Sequence, residues 1–150
     1  MIRAVLLDAG PLGMAANPAA SPETVACERW IESVLQRGTQ IVIPEITDYE
    51  VRRELIRAGK TRGVARLDAL KQAFRYLPLT TAMMLLAAQF WATARNTGKQ
   101  TAPDNSLDGD MILAAQVVML GRELDEVVIA TTNIKHLGLF ANAGHWKDIR

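Results

Sequence analysis

Four acidic residues of this 150-residue sequence stand where their neighbours give them chemical interest. Asp8 follows the apolar segment Ile2–Leu7, Glu50 lies shortly after a strand-like segment that ends in proline, and Asp108 and Asp110 precede an apolar helical pattern. Each has an ordinary structural explanation when taken alone. Asp8 is typical of a turn, and Glu50 is typical of a solvent-exposed helix face. Asp108 and Asp110 are typical of the start of a helix. The functional hypothesis therefore depends on their combination.

Carboxylates that are brought together repel one another, so a cluster is tolerated only where a cation neutralises it or a proton is shared. Ligation by Asp and Glu oxygens suits Mg²⁺ or Mn²⁺ and argues against zinc. The two histidines, His136 and His145, lack the spacing of a zinc site. A Mg²⁺ or Mn²⁺ ion held this way polarises a phosphate and helps to ionise a water for in-line attack on phosphorus.

Strand-like and helix-like segments alternate along the chain. The pattern predicts strands over residues 2–7, 40–44, 76–79 and 127–131, helices over 22–37, 45–58, 64–74, 81–96 and 110–120, and a polar loop over 104–109. Parallel strands need crossover helices, so this alternation predicts one α/β domain over residues 1–150 with a mainly parallel central sheet.

Ligand sites of such sheets lie at the carboxyl ends of the strands. Polar side chains follow three of the predicted strands: Asp8 after the first, Glu45, Asp48 and Glu50 after the second, and Thr131, Thr132 and Asn133 after the fourth. The acids of residues 104–110 stand at the start of a helix. We therefore expect Asp8, Glu50 and Asp110 to converge, although they lie far apart in sequence.

Composition bounds the function only weakly. The 17 basic and 16 acidic residues give a net charge of +1, which does not favour a nucleic-acid partner but leaves room for a local basic face. Cys27, the one cysteine, lies in an apolar helical pattern and is predicted to be a buried packing residue. No apolar run is long enough for a transmembrane helix and no secretory signal is evident, so we expect a cytoplasmic protein without membrane association.

Four segments of the sequence, in this order, resemble the signature blocks of PIN domains, and especially of the VapC-like toxins of bacterial toxin–antitoxin pairs. They are residues 6–12 (LLDAGPL), 43–55 (IPEITDYEVRREL), 110–116 (DMILAAQ) and 129–133 (IATTN). The resemblance extends from about residue 2 to about residue 140. Each block is weak alone, whereas four in order at family-like spacing are fairly specific.

The resemblance implies roles for particular residues. Asp8, Glu50 and Asp110 match three family acids that bind metal and carry catalysis. The fourth acid falls at Asn133, whose amide oxygen can still be a ligand but brings no negative charge. A second metal should then bind more weakly unless Asp108 or Asp104 compensates. Thr132 matches a family hydroxyl near the site.

The resemblance further implies a Mg²⁺- or Mn²⁺-dependent endoribonuclease with a flavodoxin-like three-layer fold and helices on both faces of the sheet. It implies a homodimer and a small antitoxin protein as partners, with RNA as substrate. Arg52 and Arg53 begin a basic stretch beside Glu50 that is either a solvated helix face or a contact for RNA phosphates or antitoxin carboxylates.

Two other hypotheses stay open at this point. Asn133 weakens the acidic cluster, so the chain could be a PIN-fold RNA- or protein-binding module with little or no catalysis. A receiver-like phosphotransfer domain would also place acids at strand ends, but its lysine would have to be Lys135, which is poorly placed after Thr-Thr-Asn. Thermal melting with added Mg²⁺ or Mn²⁺ distinguishes the binding module from the nuclease, since only an intact acidic cluster gains stability from the ion.

Overall fold

A computed structural model describes residues 1–97 and 104–150, with the backbone alone at residues 104–107 and 135. The strands are β1 (Ala4–Leu7), β2 (Gln40–Pro44), β3 (Arg75–Leu77), β4 (Val127–Thr131) and β5 (Ala143–His145). The helices are α1 (Ala9–Ala16), α2 (Pro22–Gln36), α3 (Glu45–Arg57), α4 (Thr61–Ala73), α5 (Thr81–Asn96) and α6 (Asp104–Glu123). Two short 3₁₀ helices span Lys135–Leu139 and Trp146–Asp148.

The five strands form one sheet in the order β3-β2-β1-β4-β5, and every neighbouring pair is parallel. The chain adds β2 and β3 on one side of β1 and then crosses to add β4 and β5 on the other. The order therefore reverses between β1 and β4. In open parallel sheets the crevice at such a reversal, beyond the carboxyl ends of the strands, is where ligands bind.

Both faces of the sheet are covered, as expected for a parallel sheet. Val5 and Leu7 of β1 point into a core formed with α1, α2, α4 and the C-terminal segment. Ala4 and Leu6, the alternate residues of the same strand, point into a second core with α5 and α6. The predicted three-layer α/β architecture, PIN-like and flavodoxin-like with helices on both faces, is thus confirmed.

Helix α3 stands at the carboxyl edge of the sheet. Its residue Ile46 packs into the core that α6 covers, whereas Val51 packs into the core on the opposite face. Because α3 contributes to both cores, the side chains between these two positions on its surface face the edge where β1, β2 and β4 end.

The sequence pattern missed two elements. Asp8 was expected to begin a turn, but it is the N-cap of α1, and its Oδ1 accepts a hydrogen bond of 2.8 Å from the Ala9 amide. Pro11 is tolerated at the third helical position because the first turn needs no amide hydrogen bond. Strand β5 has three residues, too few to give a recognisable pattern.

The prediction of a polar loop over residues 104–109 was wrong. Helix α6 already begins at Asp104, so Asp108 and Asp110 lie within its first two turns rather than before it. Asp, Asn and Ser are as typical of a helix start as of a loop, because they suit both turns and helix N-termini.

Cys27 is fully buried, as predicted, and its Sγ lies 3.6 Å from the carbonyl oxygen of Pro11. Burial, with smaller contributions from the charges of Glu28 and Glu23, raises the pKa of its thiol to about 11, so it stays protonated at neutral pH. Among the residues that the structure describes, no helix has the length and apolar character needed to cross a membrane.

Candidate metal centre

Asp8 lies directly after β1, at the point where the strand order reverses. Its backbone amide continues the ladder with β4 by donating a 3.0 Å hydrogen bond to the Ala130 carbonyl oxygen. Its Oδ1 caps α1, and its Oδ2 accepts a hydrogen bond of 2.6 Å from the Thr131 hydroxyl. Both carboxylate oxygens are therefore oriented by the chain, which fixes the side chain in the crevice between β1 and β4.

Thr131 is the last residue of β4 and is fully buried. Its hydroxyl donates a hydrogen bond to Asp8 and accepts one of 3.0 Å from the backbone amide of Asn133. The loop after β4 is thereby tied to the Asp8 carboxylate. Thr131 was noted at this strand end from sequence but was not assigned a role, so it is a site residue that the sequence reasoning missed.

Glu50 approaches the same edge from α3. Burial raises the pKa of its carboxyl group above the usual value, and the negative charge of Asp8 raises it further, while the Arg53 charge acts in the opposite direction. The Asp8 and Glu50 carboxylates are thus close enough to repel each other. Such a pair favours a bound cation.

Helix α6 contacts the Glu50 carboxylate at Gly109. A Cβ atom at this position would lie 2.9 Å from Glu50 Oε2 and 3.2 Å from Glu50 Cδ, closer than side-chain atoms normally pack. A side chain at position 109 would displace the Glu50 carboxylate from its present position, so the glycine lets the backbone of α6 approach that carboxylate. Asp110, the neighbour of Gly109, is thereby brought to the same part of the molecule.

The described residues do not form a finished metal site. Within residues 1–97 and 104–150, no three or more His, Cys, Asp and Glu side chains are close enough together to hold an ion. Asp8 and Glu50 are brought together, and the place of the Asp110 carboxylate beside them stays a prediction. The donor set does fit a hard divalent cation, because both groups offer carboxylate oxygens and their charges repel each other.

The other residues predicted near the site are more peripheral. Asp108, Thr132 and Asn133 are all solvent-exposed. The Thr132 side chain packs against α1, since a Cβ at Gly10 would lie 2.6 Å from Thr132 Cγ2. The roles of these three residues in supporting the site or binding a second metal stay predictions.

The two arginines predicted to contact RNA or antitoxin differ in their surroundings. Arg52 is held by two carboxylates, with Nη2 2.9 Å from Asp48 Oδ1 and Nη1 2.8 Å from Asp68 Oδ1. Arg53 is exposed, and its guanidinium carbon lies 5.0 Å from the centre of the Tyr49 ring. The Arg52 charge is therefore largely neutralised within the fold, whereas Arg53 is directed to solvent beside Glu50.

No family model matches the sequence, and no curated protein matches it either. Solved structures do match. One is a chain of VapBC2 from Rickettsia felis bound to a DNA fragment from the promoter, with a TM-score of 0.71, 13% identity and coverage of 95% of this chain and 98% of that one. Another is DNA-bound VapBC from Salmonella typhimurium, with a TM-score of 0.65, 18% identity and coverage of 97% and 99%.

At sequence identities this low, the similarity to these structures establishes a shared fold and nothing further. The chain therefore has a PIN-like α/β fold, with acidic side chains at the carboxyl edge of its sheet. More particularly, the chain shares its fold over nearly its whole length with VapBC structures, so the resemblance to VapC-like proteins drawn from four sequence segments is confirmed at the level of the fold.

The raised pKa of Glu50 gives a prediction for the metal-free protein. A carboxyl group whose pKa is higher in the folded state adds stability below its unfolded pKa of about 4.3, and this stability is lost as the pH rises through the folded value. At pH 7, Glu50→Gln should therefore raise Tm without metal, and the gain should vanish near pH 3.5. Each kcal/mol gained corresponds to about 2–4 °C in a domain of this size.

The measurement is thermal unfolding at both pH values in the presence of EDTA. The matched control is Glu54→Gln on the same helix, an exposed residue that pairs with Arg57 and should not raise Tm. A lower Tm for Glu50→Gln at pH 7 would show that the Glu50 charge does not destabilise the metal-free fold.

Proposed function

We propose that this chain is a metal-dependent endoribonuclease of the VapC type, acting as the toxin of a toxin–antitoxin pair. The observation that carries the proposal is the arrangement at the carboxyl end of the sheet, where the Thr131 hydroxyl holds Asp8 and the Asp8 charge lies close enough to Glu50 to raise the pKa of its carboxyl group. The fold shared with VapBC structures supports it.

Asp8, Glu50 and Asp110 would hold one Mg²⁺ or Mn²⁺ ion. When bound, the ion supplies charge neutralisation at a phosphodiester and activation of a water for in-line attack on phosphorus. Asn133 offers a neutral amide oxygen near this edge, so we propose that one ion binds more tightly than any second one, with Asp108 as a further acid nearby.

The chain contributes orientation and substrate contact around this site. Thr131 fixes the Asp8 carboxylate, and the absence of a side chain at Gly109 leaves room for the Glu50 carboxylate. Arg53 and the exposed ring of Tyr49 form a cationic and aromatic patch one turn or less from Glu50. Such a patch suits single-stranded RNA, because guanidinium groups contact phosphates and aromatic rings stack on bases.

The partners follow from the same proposal. A small antitoxin protein would cover the chain and block RNA access, as the resemblance to VapC-like toxins implies. We also propose a homodimer and a cytoplasmic location. The mass of the purified protein in solution, with and without a co-expressed antitoxin, tests both assemblies.

The second hypothesis, a PIN-fold module that binds RNA or protein with little or no catalysis, is favoured by Asn133, which lowers the negative charge near the site. The experiment that separates the two is cleavage of a labelled single-stranded RNA by the purified protein with Mn²⁺, with Mg²⁺ or with EDTA. We expect cleavage with either metal and none with EDTA.

An Asp8→Asn preparation controls for contaminating nuclease, because asparagine keeps the helix cap but removes the charge. RNA binding without metal-dependent cleavage would overturn the enzymatic proposal and favour the binding module.

A further inference from the structure

Thr47 carries a buried hydroxyl for which the described part of the fold offers no hydrogen-bond partner. The residue is fully buried on the first turn of α3, and no described residue offers a hydrogen-bond partner to its Oγ1. Buried polar side chains are nearly always hydrogen-bonded, so an orphaned hydroxyl of this kind points to a partner other than the described residues.

The neighbouring polar side chains at the start of α3, Glu45 and Asp48, both have hydrogen-bond partners. Glu45 Oε1 accepts a 2.7 Å hydrogen bond from the Leu79 amide. Asp48 accepts hydrogen bonds from Arg52 and from the Tyr76 hydroxyl, the latter at 3.1 Å. Thr47 is thus the exception among the polar side chains of this helical turn.

The position of Thr47 on the helix directs it to the candidate metal centre. At 100° per residue, Thr47 and Glu50 fall between Ile46 and Val51 on the surface of α3. Ile46 and Val51 pack into the cores on opposite faces of the sheet, so the two residues between them face its carboxyl edge. The orphaned hydroxyl therefore lies on the same side of α3 as the Glu50 carboxylate, one turn away.

We propose that Thr47 is a positioning residue of this site, whose hydroxyl hydrogen-bonds a water of a hydrated divalent cation held by the carboxylates. Mg²⁺ and similar ions keep several waters when proteins bind them, and those waters need hydrogen-bond partners. The inference rests on the proposed function, because it requires the site to take up such an ion.

The test compares two measurements that should move in opposite directions. Thr47→Val removes the orphaned hydroxyl without changing the shape of the side chain, so Tm without metal should stay constant or rise. The same substitution should weaken Mn²⁺ binding, measured by calorimetry, by about 10-fold or more. Thr47→Ser keeps the hydroxyl and should bind Mn²⁺ as the wild type does.

Thr39→Val is the matched control, since the hydroxyl of this buried threonine donates a 2.9 Å hydrogen bond to the Ile2 carbonyl oxygen. It should lower Tm and leave Mn²⁺ affinity unchanged. If Thr47→Val does not fold, Thr47→Ala against Thr47→Ser isolates the hydroxyl, and the alanine variant should bind Mn²⁺ more weakly.

Equal Mn²⁺ affinity in the wild type and in the variants that lack the hydroxyl would overturn the role of Thr47 while leaving the proposed function intact. A wild-type protein that binds no Mn²⁺ would overturn both, so the two failures are distinguishable in the same titration.

Discussion

Asp110→Asn is expected to abolish metal-dependent RNA cleavage while the protein stays folded. Asparagine keeps the shape of the side chain and one acceptor oxygen, but it removes a charge from the proposed ligand set of Asp8, Glu50 and Asp110. Loss of a group that only supports a metal ligand typically costs about 10–100-fold in affinity or activity. Loss of a ligand charge should therefore reduce cleavage by at least about 100-fold.

Initial rates of RNA cleavage at saturating Mn²⁺ measure this effect. Asp125→Asn makes the same chemical change at an exposed residue before the amino end of β4, remote from the carboxyl edge, and should cleave at the wild-type rate. Asp108→Asn, two residues before Asp110, tests whether this exposed acid compensates for the negative charge that is missing at Asn133. Cleavage by Asp110→Asn at the wild-type rate would show that Asp110 is not a ligand.

Thr131→Val should weaken Mn²⁺ binding and slow RNA cleavage by about 10–100-fold, because it removes the 2.6 Å hydrogen bond that orients Asp8. It should also lower Tm, since hydrogen bonds to charged groups contribute about 1.5–3 kcal/mol. Thr132→Val is the matched control at the next residue, where the side chain is exposed and packs against Gly10 of α1. It should leave metal affinity close to that of the wild type.

Calorimetric titration of the two variants with Mn²⁺ under identical conditions decides between these threonines. The sequence resemblance assigns the supporting hydroxyl to Thr132, whereas the hydrogen bonds assign it to Thr131. A larger loss of affinity in Thr132→Val than in Thr131→Val would reverse the structural assignment.

The reason the sequence did not single out Thr131 is physical. All five residues of β4 are buried, so the strand has no alternation of polar and apolar residues from which the direction of a side chain can be inferred. Which of two successive threonines points at Asp8 depends on the pairing of β4 with β1, which places Leu7 opposite Ala130. Such register is a long-range property.

The sheet itself was largely predictable. The apolar segments that form β1, β2 and β4 are short and bounded by polar or turn residues, and the helices between them imply parallel pairing. Prediction was weakest where a helix begins with residues that also favour turns, as at α1 and α6. Asp8, Asp108 and Asp110 belong to such segments, so their acidic character was clear from the sequence although their exact setting was not.

The approach of Glu50 to Gly109 could not be predicted from either segment alone. It depends on how α3 and α6 pack, with Gln116 of α6 donating a 2.8 Å hydrogen bond to the Leu77 carbonyl oxygen and lying 3.4 Å from the Ile46 amide. A glycine in a helix costs stability relative to alanine, which makes its presence here informative only after the contact with Glu50 is known.

Anomalous diffraction from crystals soaked in Mn²⁺ tests the central claim most directly. We predict one strong manganese peak at the carboxyl end of the sheet, between β1 and β4, about 2.1 Å from oxygens of Asp8, Glu50 and Asp110. A manganese peak elsewhere, or no peak at these three carboxylates at saturating Mn²⁺, would contradict the assignment of this crevice as the metal centre.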